Sequence, residues 1–433
     1  MPVVGRTIGV AMSSKSQRFQ TPIGTHDVGP DISARWQAVV HQFADQARLA
    51  NFGKLTTPIF EDIGVFQRIG EGTDVVKKEM YDFFDKGDRH MVLRPENTAS
   101  VCRSYVQHRP TPPWKVWYEG PFFRYEAPQA GRLRQFHQLG AEILGSDDAD
   151  VDVEAIVLAE RFFTSLGLRR VLLVINSMGD VETRQRYATA VQGYLRDRIA
   201  DVDEADRAKV EEHPLRVLDS KRDATRAVTA DAPNVADFLT DAAQQHFGRV
   251  QAGLRALNVD FAIEPRLVRG LDYYTHTLFE FQASSLDTAQ NALGGGGRYN
   301  GLVEELGGPD TPGVGFALGI ERTLMACDAE GVFDGPATAP QVFVIDVTGG
   351  DAARDVSAEL RAIGVSADRA FDHRSMRAQM KAADRSGAAW AVIVGDEEAA
   401  NSAATLRDLR GDTEQQTVPR NQLVARVAAL LGT

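Results

Sequence analysis

Cysteine is scarce in this chain, which contains only Cys102 and Cys327 among 433 residues. Two cysteines without metal-ligand spacing exclude a disulfide framework and argue against a zinc site, so we expect both thiols to be buried packing residues. Long apolar runs are also missing, since no stretch approaches the roughly 18 residues that span a membrane. Residues 1–20 show no cleavable signal pattern. These absences predict a cytoplasmic protein without a membrane segment.

An excess of basic charge is lacking too, because 48 basic residues face 60 acidic ones and the net charge is −12. A protein that binds RNA on one face nevertheless needs only a local basic stripe. One such stripe lies in residues 374–387. Its basic residues, which recur at helical spacing, are Arg374, Arg377, Lys381 and Arg385. An RNA-contacting surface and a solvated helix face explain this stripe equally well.

The length of the chain predicts two or three domains. We expect residues 1–18 to form an extension, with Met12 as an alternative start. Residues 19–333 do not repeat in βαβ order, which favours an α+β fold with an antiparallel sheet flanked by helices. A charged helical insertion is expected at about 180–258. After a Gly- and Pro-rich linker, residues 340–433 alternate strands and helices, as is typical of a compact α/β domain with a partly parallel sheet.

Residues 118–142 concentrate polar and aromatic side chains between two strand-like runs. They include Arg124, Glu126, Arg132, Arg134, Phe136, Gln138 and Glu142. Arginine suits phosphate oxygens because its planar guanidinium donates in a fork, and an aromatic ring can cover the face of a base. The segment therefore indicates a nucleotide site, and a solvated hairpin with incidental charges is the less favoured alternative.

Two further segments carry polar groups next to strands. Residues 267–281 bring Arg269, Asp272, Tyr273 and Tyr274 to a strand start, where they would form a polar pocket or simply pack on the sheet. The run Gly294–Gly297 lets backbone approach a ligand closely, and a flexible turn is the alternative. This run matches neither the dinucleotide-binding nor the P-loop pattern.

In residues 311–327, a strand should deliver Arg322 to the start of a helix. With FRYE at 123–126, this GIER segment resembles the second and third signature motifs of class II aminoacyl-tRNA synthetases. The chain from about Thr21 is similar to the histidyl-tRNA synthetase family in the order and spacing of several segments. These segments are TPIGTHDVGP, TPIFED, LRPENT, GRLRQFHQLGAE, LVRGLDYYTHTLFEF and RSMRAQMKAADRSGA.

The resemblance implies a class II catalytic domain at 19–333 and an anticodon-binding domain at 340–433, in a homodimer. It also implies that L-histidine and ATP form histidyl-adenylate and diphosphate. The histidyl group then passes to the terminal adenosine of histidine tRNA, with release of AMP. Mg2+ would be bound with ATP, and neither a prosthetic group nor a metal site of the protein's own is expected.

The same resemblance assigns the ATP site. Arg124 would hold the α-phosphate, and Glu126 would read the adenine amino group. Phe136 would stack on one face of the adenine, while Arg322 would cover the other face and hold the γ-phosphate. Arg269 would act at the α-phosphate opposite Arg124. Arg124, Arg269 and Arg322 are thus the expected catalytic residues.

Histidine recognition follows from matching positions. Glu96, Thr98 and Gln138 would surround the α-ammonium group, while Glu142 and Tyr274 would meet the two imidazole nitrogens. Tyr273 would shape the pocket, and Tyr299 would belong to a floor formed with the glycine run and Arg298. The substrate-binding positions implied by the resemblance are Glu96, Asn97, Thr98, Arg124, Gln138, Glu142, Arg269, Tyr273, Tyr274 and Tyr299.

Three departures from the family pattern stand out. Asn97 replaces the glycine of RPEGT, Ala127 replaces a common arginine, and DYYTHT stands for DYYNRT. One alternative is the paralogue that serves as regulatory subunit of ATP phosphoribosyltransferase, and another is an RNA-binding protein on a retired synthetase scaffold. Retention of the three arginines and of the terminal domain favours the synthetase.

Overall fold

The computed structural model describes residues 19–68, 78–129, 131–218, 220, 222–268, 273–286 and 291–432. The chain divides into two compact units between Gly335 and Pro336. This division falls inside the linker that the sequence suggests. Among the described residues, no helix combines the length and apolar character needed to cross a bilayer.

An eight-stranded sheet forms the centre of the first unit. Strands of this unit are β1 Gly53–Lys54, β2 Phe60–Asp62, β3 Tyr81–Phe84, β4 His90–Leu93, β5 Trp114–Phe123, β6 Gln135–Leu144, β7 Val171–Ser177, β8 Ala262–Ile263, β9 Thr275–Ala283, β10 Ala292–Arg298 and β11 Gly313–Gly319. The large sheet has the order β1-β5-β6-β11-β10-β9-β7-β8, and β2-β4-β3 form a small second sheet. Among the described residues of these two sheets, the only parallel pairs are β1 with β5 and β8 with β7, both at the edges of the large sheet. The predicted antiparallel α+β fold is confirmed, with these two parallel edges added.

Helices pack on the large sheet, and several of them lie between β7 and β8 in the sequence. Helices of the first unit are α1 Pro30–Leu49, α2 Gly64–Gln67, α3 Thr98–His108, α4 Ala149–Ser165, α5 Val181–Arg196, α6 Glu204–Glu212, α7 Pro214–Val217, α8 Asp223–Thr229, α9 Asp241–Ala256, α10 Leu302–Glu305 and α11 Ile320–Glu330. The Asp148 side chain caps α4 by accepting from the Asp150 N–H, which satisfies one free donor of the first turn. Helices α5 to α9 occupy the stretch that the sequence marks as charged and helical.

Strand β6 separates two apolar layers because successive side chains point to opposite faces of a strand. Leu139, Ala141 and Ile143 are buried in the main core, which also contains residues of α1, α4 and α11. On the other face, Leu144 belongs to a second core with residues of α3 and β5. Both cysteines are buried and unbridged, as predicted.

The glycine run is not a turn. Gly294–Gly297 lie inside β10, paired on one side with β9 and on the other with β11. Arg298 at the end of β10 is fully buried, and its Nη2 lies 2.7 Å from Oδ2 of Asp152 on α4. The flexible-turn alternative is therefore wrong. Arg298 is not among the described residues that line the candidate active site, and its guanidinium donates to Asp152 and to the carbonyls of Ser146 and Asp148, just before α4.

The second unit is a five-stranded sheet with helices. Its strands are β12 Val342–Asp346, β13 Ala367–Arg369, β14 Trp390–Val394, β15 Ala403–Asp408 and β16 Gln416–Pro419. Its helices are α12 Asp351–Ala362, α13 Met376–Arg385, α14 Asp396–Ala400 and α15 Leu423–Leu431. Strands β13, β12 and β14 are parallel, whereas β15 and β16 are antiparallel to their neighbours. The predicted partly parallel sheet is confirmed.

Candidate active site

A cavity of about 360 Å3 opens on the β6–β11–β10–β9 part of the large sheet. Nine of the catalytic, substrate-binding and ATP-binding residues implied by the family resemblance line it, although they come from distant parts of the chain. They are Glu96, Asn97, Arg124, Glu126, Phe136, Gln138, Tyr273, Tyr274 and Arg322. Residues 269–272, including the expected catalytic Arg269, lie outside the described residues.

Strand β6 supplies Phe136 and Gln138 to the cavity from alternate positions. Gln138 pairs with Gly120 of β5 and with Gly319 of β11. Neither neighbour has a side chain that would cover the amide. Within the described part of the chain, the buried Oε1 of Gln138 has no hydrogen-bond partner. An unpaired buried acceptor favours a bound donor such as an ammonium group.

Arg124, Arg132 and Arg322 give the cavity positive charge. Arg124, just after β5, donates from Nε to the Pro95 carbonyl at 3.0 Å, and its guanidinium carbon lies 5.2 Å from the centre of the Phe136 ring. Arg322 in the first turn of α11 donates to the carbonyls of Gly131 and Ala292, both at 2.8 Å.

Burial lowers the pKa of the Arg322 guanidinium below its ordinary value, and nearby Arg132 and Arg124 act in the same direction. Repulsion among these cations would be relieved by a bound anion. Arg132 also forms an ion pair with Glu126, with 3.0 Å between Nε and Oε2. The arrangement suits a phosphate-rich ligand beside an aromatic ring.

Glu96 and Asn97 position the start of α3 at the cavity wall. The Glu96 carboxylate accepts from the backbone N–H groups of Thr98 and Ala99 at 2.7 and 2.9 Å. Burial raises the pKa of Glu96, although these hydrogen bonds oppose the shift. Asn97 accepts from the Thr57 hydroxyl at 2.6 Å. Its φ of −117° requires no glycine, so the departure from the family pattern is accommodated without backbone strain.

A polar layer lies beneath the cavity rather than in its wall. Glu142 is fully buried, and Oε1 accepts from the hydroxyls of Thr98 at 2.8 Å and Tyr118 at 3.3 Å. Oε2 accepts from the Tyr299 hydroxyl at 2.5 Å. Thr98, Glu142 and Tyr299, all expected at the substrate, are not among the described residues that line the cavity, and the hydroxyls of Thr98 and Tyr299 donate to Glu142 instead. Tyr118 connects this layer to the cavity, which it lines.

Known proteins resemble this chain over nearly its whole length. A family model described as histidyl-tRNA synthetase matches residues 24–323, and one described as anticodon binding domain matches 341–430. A histidine–tRNA ligase from Rhodococcus jostii (strain RHA1) is 45% identical over 427 residues, which are 97% of this chain and 100% of the relative. The chain belongs to the histidyl-tRNA synthetase family.

Further relatives and solved structures are also similar to most of this chain. A histidine–tRNA ligase from Geobacillus sp. (strain WCH70) is 43% identical over 94% of this chain and 98% of its own length. Among solved structures, apo histidyl-tRNA synthetase of S. aureus superposes with a TM-score of 0.79 at 34% identity, covering 95% of this chain and 100% of that one. A structure titled as an ATP phosphoribosyltransferase regulatory subunit/histidyl-tRNA synthetase from Bacillus halodurans C has a TM-score of 0.63 at 19% identity, covering 85% and 97% of the two chains. At that identity the likeness shows the fold alone.

Two acidic residues of the cavity are missing from the sequence-based site. Glu280 lines the wall from β9, opposite Gly295 of β10. Glu321 lines it from α11 and accepts from the backbone N–H and the Nδ1 of His137, the latter at 3.1 Å. The sequence offered one signal for each residue. Glu280 is the single acidic residue of the apolar strand LFEFQA, and Glu321 directly precedes Arg322.

The carboxylates of Glu280 and Glu321 are the acidic groups of the cavity that suit Mg2+. Within the described residues, no group of three or more His, Cys, Asp or Glu side chains could hold a metal ion. Mg2+ in nucleotide sites is usually held by one or two carboxylates together with substrate phosphates. Glu280 and Glu321 in one cavity with the arginines therefore fit an ion that is bound mainly by the nucleotide.

Gly315 of β11 is required by the buried layer. It pairs with Glu142, and a Cβ at this position would overlap Oε2 of Glu142 and press on the Ala141 carbonyl. We expect Gly315→Ala to lower the free energy of unfolding by about 1–3 kcal/mol in urea denaturation, as for other overpacked sites. Gly248→Ala in α9 is the matched control, because nothing lies within 4 Å of its added Cβ. Equal stability of the two variants would refute this role of Gly315.

Burial raises the pKa of Glu142 to about 8, despite the opposing hydrogen bonds from Tyr299 and Thr98. Between about pH 4.5 and pH 8 the folded carboxyl keeps a proton that the unfolded chain releases. Its stabilising contribution is complete below this window and is lost as the pH rises through it. Relative to Glu142→Gln, we expect the unfolding free energy to fall by up to about 1.4 kcal/mol per pH unit between pH 5 and 8.

Urea denaturation at each pH measures this slope. The exposed Glu414→Gln change is the control for removal of one carboxyl, and it should leave the pH profile of the unmodified protein unchanged. Parallel profiles of the unmodified protein and Glu142→Gln would show that the buried carboxyl does not titrate in this range.

Proposed function

We propose that this protein joins L-histidine to histidine tRNA for protein synthesis. In the first step, a carboxylate oxygen of histidine attacks the α-phosphorus of ATP, which forms histidyl-adenylate and releases diphosphate. In the second step, a hydroxyl of the tRNA's terminal adenosine attacks the histidyl carbonyl and AMP leaves. The observation that carries the proposal is the convergence in one cavity of nine residues implied by the family resemblance.

The nucleotide would lie along the arginine side of the cavity. Arg124 would neutralise the α-phosphate, and Phe136 beside it would stack on the adenine. Glu126, already paired with Arg132, would accept from the adenine amino group. Arg322 would cover the opposite face of the adenine and contact the γ-phosphate. Fixed cations at a phosphorus under in-line attack stabilise the transition state without a covalent enzyme intermediate.

By family resemblance, Arg269 would act at the α-phosphate opposite Arg124. Bound Mg2+ would offset charge on the outer phosphates, with Glu280 and Glu321 as its protein-side carboxylates. ATP and the ion would thus arrive together, and the protein's own residues would orient the phosphorus.

Histidine would occupy the tyrosine side of the cavity. The unpaired Oε1 of Gln138 would accept from the α-ammonium group, assisted by Glu96 and Asn97 in the wall. Tyr274 would meet one imidazole nitrogen. The other would reach Glu142 by replacing a hydroxyl in the buried layer. An amino acid without an imidazole would leave the hydroxyls in place and would form no hydrogen bond with this carboxyl, so it would bind less tightly than histidine.

The proposal predicts ATP–pyrophosphate exchange that requires histidine. Arg124→Ala should slow this exchange by about 100- to 1,000-fold, since a lost charge-stabilising donor costs roughly 3–4 kcal/mol of barrier. Arg186→Ala, at an exposed position on α5, is the matched control and should retain the full rate. If the exchange is absent, or is equally fast with every amino acid, the proposed function is wrong. A rate within threefold of normal for Arg124→Ala would remove the role given to that residue.

A homodimer in the cytoplasm belongs to the same proposal. Two neighbouring aromatic rings are exposed on one face of the small sheet: Phe60 and Phe83 are 53% and 41% accessible, and their ring centres lie 6.5 Å apart. Contiguous exposed apolar surface of this kind is typical of interfaces. A second copy of the chain would cover it.

The dimer has its own test. The unmodified protein should scatter light as a particle of twice the chain mass of 47.3 kDa, and Phe60→Asp should shift it towards the monomer because a charge would be buried in the interface. Ile363→Asp, at a similarly exposed apolar position of the second unit, should remain dimeric. An unchanged mass for Phe60→Asp would place the interface elsewhere.

A further inference from the structure

An exposed aromatic ring marks the loop between β13 and α13 in the second unit. Phe371 is 60% accessible, although burial of such a side chain would stabilise the unit by about 1.5–3 kcal/mol. The other aromatic residues of this unit, Phe343 and Trp390, pack into its cores. Among the described residues of the unit, Phe371 is therefore the one Phe, Tyr or Trp that its own packing does not use.

A cation is held against this ring. The guanidinium carbon of Arg369 lies 4.9 Å from the ring centre of Phe371, and Nη1 donates to the Gly350 carbonyl at 3.3 Å. Arginine over an aromatic face fixes the ring and adds positive charge beside it. An aromatic ring next to arginine suits a nucleotide, whose base stacks and whose phosphate pairs with the cation.

The loop is held in one conformation by strain and by a buried amide. Asp372 and His373 have φ values of 65° and 45°, a left-handed conformation that costs non-glycine residues of order 1–3 kcal/mol each. Gln379 on α13 is buried and donates from Nε2 to the carbonyls of Arg374 and Asp346 at 2.7 and 2.6 Å. The loop is thus tied to the end of β12. Strain that surrounding structure maintains is a common property of binding loops.

Local charge favours a polyanion. Residues 369–385 contain five basic and two acidic residues, in a chain whose net charge is −12. Both acidic residues are paired with arginine, Asp372 with Arg374 and Asp384 with Arg410. Within the described part of the chain, the remaining basic residues of this segment form no ion pairs. They are Arg369, Arg377, Lys381 and Arg385.

We propose that Phe371 is a stacking platform for an unpaired base of the anticodon loop, and that the basic residues of α13 contact the adjoining phosphates. The inference rests on the proposed function and extends it to a residue that the sequence did not single out. An acidic protein would use the positive charge but would leave the exposed ring without a matching partner, so RNA is the occupant that the surface fits better.

Aminoacylation kinetics test the platform. Phe371→Ala and Phe371→Leu should raise KM for histidine tRNA by about 5- to 100-fold, the range for loss of one base–aromatic stack. Phe371→Tyr should stay within about twofold because it keeps the π-face. Ile363→Ala, an exposed apolar position in the same unit, is the matched control. Histidine-dependent exchange without tRNA and the thermal unfolding temperature should not change in any variant.

Two RNA substrates distinguish a contact with the anticodon loop from an effect on the acceptor stem. With a minihelix that carries only the acceptor stem, Phe371→Ala should behave like the unmodified protein. A KM that is unchanged with full tRNA, or raised equally with the minihelix, overturns the inference while leaving histidine-dependent exchange intact. Absence of that exchange in the unmodified protein instead overturns the proposed function.

A binding measurement does not depend on catalysis. In Phe371→Trp, the isolated anticodon stem–loop should quench the added fluorescence, read against the four native tryptophans. Quenching by polyglutamate but not by RNA would assign the surface to an acidic protein partner and overturn the inference, as would no quenching at all.

Discussion

The two-residue period of β6 ties the hydrophobic core and the candidate active site to one strand register. Leu139, Ala141 and Ile143 enter the core on one face, while Phe136 and Gln138 line the cavity on the other. A slip by one residue would expose the three apolar side chains, at about 1.5–3 kcal/mol each, and would bury polar groups in their place. Pairing over ten positions with β5 and seven with β11 opposes such a slip. The burial that stabilises the unit therefore also sets the geometry of the cavity.

The buried layer under the cavity shows how burial and hydrogen bonding compete. A carboxyl without access to water is costly to ionise, and hydroxyl donors from Thr98, Tyr118 and Tyr299 offset only part of that cost for Glu142. Its pKa accordingly stays near 8. At neutral pH a pKa of about 8 favours the protonated, neutral form of this carboxyl. Binding of an imidazole N–H would favour ionisation, so ligand recognition and proton release would be linked at this position.

Sequence patterns predicted the antiparallel sheet flanked by helices in the first unit and the partly parallel sheet of the second unit. Family resemblance also singled out nine residues of the cavity. It did not separate wall from floor, because Glu142 lies on the same face of β6 as Phe136 and Gln138, and depth along a face leaves no sequence signal. Glycine has no side chain, so the sequence of Gly294–Gly297 shows no two-residue hydrophobic period and is compatible with a turn. In the fold this run pairs with β9 and β11 and is therefore part of a strand. The sequence did not identify Glu321 as a site residue, because its position depends on a hydrogen bond from His137, which is far away in the chain.

Charge distribution reconciles an acidic protein with polyanionic substrates. At physiological ionic strength, exposed charges farther apart than about 8 Å are largely screened from one another. A triphosphate in the cavity would therefore respond to Arg124, Arg132 and Arg322 rather than to the net charge of −12. The same holds for RNA at the basic segment 369–385. Acidic residues elsewhere then weaken non-specific contacts with nucleic acid without weakening these two local fields, so a negative total charge improves discrimination at little cost to binding.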